Sequence, residues 1–91
     1  MKNALDLIAQ YTESMRGLAL KAESGSNVDD ASRELIRAAV EQFRGAGDGS
    51  DAIESTRALR ARLVMLMESS LDTQIRFRVA LEHAVAWLDQ A

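Results

Sequence analysis

Apolar residues in the first third of the chain recur at alternating steps of four and three: Ala4, Ile8, Tyr11, Met15, Leu18 and Ala22. That spacing marks one face of an α-helix and predicts a helix over residues 3–22 with a coiled-coil-like seam. Leu5, Leu7 and Ala19 broaden the seam, while Gly17 weakens the helix by about 1 kcal/mol relative to Ala. The small polar stretch Glu23-Ser24-Gly25-Ser26-Asn27 reads as a loop in which Gly supplies the left-handed cap that ends a helix. Helical spacing resumes at Leu35, Ile36, Ala39, Val40 and Phe43 and predicts a second helix over residues 28–44. Asn27 serves as its N-cap, Asp29 and Asp30 lie where the helix dipole favours acid, and Arg44 and Gly45 close it.

Residues 45–50 carry three of the chain's five glycines and read as a flexible loop. From Ser50 to Ala91 there is then no Gly and no Pro, so nothing in that stretch must break a helix. Asp51 with Glu54 three residues on resembles a capping box and opens a third helix over residues 51–69. Its apolar face carries Leu59, Leu63, Leu66 and Met67, flanked by Ile53 and Val64. Ser69 as N-cap, with Asp72 at the third helical position, opens a fourth helix over residues 70–90. Leu71, Ile75, Phe77, Leu81, Ala84, Val85 and Leu88 form one broad arc of it, and Arg76, Ala80, His83 and Trp87 the opposite side. The competing reading is a single helix of about 40 residues, about 60 Å long. The break is preferred because a hairpin lets both halves bury their apolar sides. No strand-like alternation interrupts the pattern, so the fold class is all-α: three to four amphipathic helices in one small bundle spanning residues 1–91.

The run Leu63-Val64-Met65-Leu66-Met67 wraps more than halfway round a helix and implies packing on two sides. A chain of 91 residues has a small interior, since domains of this size bury only about 60–65% of the surface exposed by the unfolded chain. A second copy of the chain is therefore expected on one side, giving an intertwined or bundle-forming homodimer. Leu59, Leu63, Leu66, Met67, Phe77, Leu81 and Leu88 are the expected core and dimer-interface residues.

Composition narrows the setting. There is no Cys, which removes the disulfide framework of small secreted domains and favours a reducing interior. No signal-peptide or membrane-spanning apolar stretch is present, so a cytoplasmic protein without a membrane partner is expected. The formal charge of −3 gives the chain as a whole no attraction to polyanions. Locally, Glu23, Asp29, Asp30 and Glu34 face only Arg33, whereas Arg57, Arg60 and Arg62 gather on the third helix.

Candidate chemistry is sparse. The single histidine, His83, sits beside Glu82, and neighbours on a helix point about 100° apart, so the pair does not converge on one ion or substrate atom. One His without Cys leaves zinc short of ligands. Trp87, one turn beyond His83, suits a protein contact, as tryptophan dominates the centres of interfaces, and it suits a core position equally. Arg76, His83 and Trp87 thus form a candidate partner-contact face. The glycine-rich loop lacks the Lys-Ser/Thr pair of a phosphate-binding loop, and Asp48, Asp51 and Glu54 lack the alternate spacing of a calcium loop. No catalytic, cofactor-binding or metal-binding residue is assigned, and no enzymatic activity is expected. Arg57, Arg60 and Arg62, following a helix and a turn, superficially suggest a helix-turn-helix. The connection is long for that motif, and Arg62 points about 140° from Arg57, so nucleic acid is not the favoured partner.

From Val28 onward the pattern resembles the YmgB/AriR family of small bacterial regulators, two-component-system connector proteins linked to biofilm and acid-resistance control. The residues that carry it are Glu34-Leu35-Ile36-Arg37-Ala38-Ala39-Val40, the Gly/Asp-containing loop, Leu59 to Met67, Glu68-Ser69-Ser70-Leu71-Asp72 and Arg78-Val79-Ala80-Leu81-Glu82. The similarity covers roughly the last two-thirds of the chain. It implies an all-helical, non-enzymatic homodimer that contacts sensor-kinase pathways or DNA, and it carries no binding residue across. The leading expectation is a dimeric helical adaptor or regulator that engages an unidentified protein. The alternatives are a DNA-associated regulator and a secretion chaperone, antitoxin or immunity protein dedicated to one partner.

Overall fold

A computed structural model describes residues 3–46 and 49–90. Its helices are α1 (Ala4–Glu23), α2 (Asp29–Ala46), α3 (Gly49–Glu68) and α4 (Ile75–Gln90), packed into a bundle of 40 × 25 × 23 Å. No strand occurs among the described residues. Each helix touches the other three. Successive helices run antiparallel: Glu23 at the end of α1 meets Phe77 at the start of α4, and Arg60 in α3 meets Asp89 near the end of α4.

The chain ends its first helix as the loop composition predicts. Gly25 has φ +107°, its N–H donates to the Ala22 carbonyl at 3.0 Å, and the Ser26 N–H reaches back to Lys21 at 3.1 Å. That pair of bonds satisfies the last carbonyls of α1 and needs a residue free of a Cβ at the reversal. Asn27 works one residue earlier than a cap would. Its Oδ1 accepts from the Asp29 N–H at 3.1 Å, while Val28 supplies the carbonyl that starts α2, accepting from Ser32 at 2.8 Å.

Two boundaries differ from the sequence expectation. Of the expected loop 45–50, Gly45 and Ala46 complete α2, and Gly49 and Ser50 begin α3; residues 47 and 48 lie outside the described residues. Asp51 therefore sits inside the first turn of α3, where acid complements the dipole, rather than ahead of its first residue. The expected 70–90 helix starts only at Ile75. Ser69 and Ser70 do not open it. Their hydroxyls turn back onto the carbonyls of Leu66 and Met67 and close α3. Arg78 then clamps the turn by donating to the Ser70 hydroxyl at 2.9 Å and lying 3.6 Å from Asp72. A break between two helices, rather than one long helix, is what the chain adopts. Glu23 supplies the missing N-terminal partner of α4 by accepting the Phe77 N–H at 3.1 Å across 54 residues of sequence.

The core is built within one chain. Met15 and Ala19 of α1, Ala39 of α2, Leu59 and Leu63 of α3, and Leu81 and Ala84 of α4 are fully buried, with Ile36, Phe43 and Leu88 nearly so. The apolar run on α3 is absorbed because that helix lies against three neighbours: Leu63 is buried, Val64, Leu66 and Met67 pack half-buried on the core, and only Met65 faces outward. Within this run, Met65 alone is left for a second copy to cover fully. One buried polar atom stands out: the Ser32 hydroxyl has no hydrogen-bond partner among the described residues. An unsatisfied buried hydroxyl costs about 1–3 kcal/mol, so Ser32→Ala is expected to raise the midpoint of urea unfolding; a lowered midpoint would reveal a partner for that hydroxyl.

Candidate functional site

No group of three or more His, Asp or Glu residues is placed to hold a metal ion among the described residues, and no helix is long and apolar enough to cross a membrane. Surface features worth attention are an apolar end and a basic groove.

The apolar end follows from where α4 begins. With residues 69–74 in the turn, Leu71 falls outside any helix and Ile75 becomes the first helical residue, so neither joins the arc led by Phe77; both are 66% exposed. Met65 is equally exposed, and Leu20 and Val79 are partly so. All five belong to the end where α1 and α3 finish and α4 starts. Around them stand exposed charges of both signs, Lys21 and Arg76 against Glu68 and Asp72.

The expected core and interface residues divide accordingly. Leu59, Leu63, Phe77, Leu81 and Leu88 are buried inside the single chain, and Leu66 and Met67 are half-buried against it. The expected contact face on α4 is partly occupied by α2. Trp87 is half-buried, with the Arg33 guanidinium 5.3 Å from its ring centre and the His83 ring 6.0 Å away. His83 Nδ1 lies 3.8 Å from Asp29, and Arg76 lies over Gly25 at the α1–α2 turn, where Val79 and Val28 help line a shallow groove of about 340 Å³.

The three arginines of α3 separate. Arg60 donates from Nε to Asp89 at 2.6 Å and from a second nitrogen at 3.4 Å, a forked pair that ties α3 to the end of α4. The hydrogen bond that Arg60 donates to Asp89, and then the charge of that carboxylate, hold the guanidinium above its ordinary pKa. Arg57 lines the same groove, of about 530 Å³, whose other wall is Val40 and Arg44 of α2. Arg62 is exposed and outside it. A second groove of about 650 Å³ shares Val40 and Arg44 and continues along α2 past Arg37 and Arg33 to Trp87. The contribution of α2 was not singled out by sequence reasoning, although Arg33, Arg37 and Arg44, at steps of four and seven, share one helical face.

Comparison with known protein families, curated proteins and solved structures yields no match.

Proposed function

We propose that this protein is a non-enzymatic helical adaptor or regulator of the cytoplasm, working through protein contacts as a homodimer joined at the apolar end. The observation that carries the reading is the exposure of Met65, Leu71 and Ile75, each 66% exposed, at the end where α3 finishes and α4 starts. Monomeric soluble proteins seldom leave large apolar side chains gathered in one place. A second copy suits that end because a two-fold interface must be self-complementary, and the same end offers Arg76 with Glu68 and Asp72. Burying one such side chain stabilises the assembly by about 1.5–3 kcal/mol. The resemblance to YmgB/AriR regulators points to the same kind of molecule and suggests a signalling role.

Light scattering is the direct test. The wild-type chain is expected to give the mass of two copies, and the double variant Met65→Glu, Ile75→Glu that of one, with an unchanged helical circular dichroism spectrum. A wild-type mass of one copy at high concentration overturns the homodimer. A double variant that stays dimeric relocates the interface.

A further inference from the structure

The two grooves that share Val40 and Arg44 lie side by side along α2, and the charge of this trough opposes that of the molecule. Arg33, Arg37, Arg44, Arg57 and Arg60 line it against only Glu41 and Asp89, on a chain of formal charge −3. Three of the five arginines are engaged within the chain: Arg33 over Trp87, Arg37 with Glu34, and Arg60 with Asp89. Arg44 and Arg57 are exposed and have no ion-pair partner among the described residues, and they stand in the same groove. The walls between the charges are apolar, with Val40, Ala52 and Leu88 buried and Ile53 56% exposed.

We propose that this trough docks an acidic amphipathic helix of a partner protein, its apolar side chains against Ile53, the exposed apolar residue of the lining, and its carboxylates against Arg44 and Arg57. The proposal rests on the reading that the molecule acts through protein contacts, but on different residues from the dimer end. A helix fits the dimensions. From Arg33 to Arg44 the α2 wall runs about 16 Å at 1.5 Å per residue, matching three turns of a partner helix, and helices bind such grooves through apolar anchors one turn apart. Nucleic acid fits less well: Glu41 and Asp89 on the walls repel phosphates, and the Trp87 ring already carries the Arg33 guanidinium where a base would stack.

Trp87 is the chain's single tryptophan and lines the trough, so its fluorescence reports occupancy directly. The probe is a synthetic helical peptide with Leu on one face and Glu on the other, containing no aromatic residue. Saturable change in Trp87 emission is expected, weakening as salt rises and falling about tenfold or more for Arg44→Glu, Arg57→Glu. Arg62→Glu, an exposed arginine outside the trough, is expected to bind as wild type, and circular dichroism confirms the fold of each variant. A peptide of the same composition with its leucines scattered is expected to bind at least about tenfold more weakly. The proposal is overturned by no saturable change with the amphipathic peptide, by equal binding of the scattered peptide, or by tighter binding of a DNA duplex, which would make the trough a nucleic-acid surface. Backbone amide shifts separate this result from the dimer. Peptide-induced changes along α2 and near Trp87 support the trough, including in the Met65→Glu, Ile75→Glu variant, whereas changes centred on Met65 and Ile75 overturn it.

Discussion

Leu63→Asp is expected to unfold the protein outright. Leu63 has no exposed surface and lies in the second half of α3, a helix that α1, α2 and α4 all contact. A carboxylate there finds no cation within the core, and burying an unpaired charge costs several kcal/mol even after the group takes up a proton. Losses above about 4–5 kcal/mol are reserved for such cases, and a domain of this size has about 5–15 kcal/mol in total. Loss of the helical circular dichroism signal, or a thermal midpoint near or below room temperature, is the outcome to look for. Met65→Asp is the matched control two residues on. Its site is 66% exposed, so the fold is expected to survive and any change to appear in the mass of the assembly. A Leu63→Asp chain that remains folded would mean that the α3 face has been assigned wrongly.

Phe43→Ala comes second in expected size. Phe43 is 2% exposed, and its ring stands edge-on to Tyr11 with centroids 6.2 Å apart. Truncating a buried Phe costs about 3–5 kcal/mol, part transfer and part cavity, and here the edge contact is lost as well. Urea unfolding followed by circular dichroism measures the loss, with near-ultraviolet signal from Tyr11 as a local reporter. The Tyr11 hydroxyl donates to Gln42, so Tyr11→Phe is expected to be milder, about 1 kcal/mol. Burial pushes the Tyr11 phenol above its usual pKa of 10.0. Because the folded value is the higher one, this residue favours the native state fully below the unfolded pKa, and that advantage disappears as pH rises through the folded value.

The four helices were legible because their signals are local: apolar steps of three and four, a glycine where α1 reverses, and acid in the first turn of α2. The break between α3 and α4 was also legible, but its mechanism was not. Ser69 carries the same hydroxyl whether it begins a helix or ends one. The choice is made by Arg78 gripping Ser70 and by Glu23 reaching Phe77, contacts that no window of neighbouring residues contains. Once α4 starts at Ile75, the exposure of Leu71 and Ile75 follows, and so does the apolar end. The surplus of apolar residues on α3 was read correctly as packing on more than one side. Three of those sides are met within the chain, by α1, α2 and α4. The basic trough needed both levels: the α2 stripe is visible in spacing, whereas its alignment with Arg57 and Arg60 exists only after α2 and α3 fold together.

The hydrogen bond between Glu23 and Phe77 also sets an order of events during synthesis. The first helix leaves the ribosome before α4, which carries the amide that its final carboxylate accepts and covers much of its buried side. Until then the residues of α1, α2 and α3 that pack on α4 have no cover. The sixteen residues of α4 then close the bundle as a bolt closes a door.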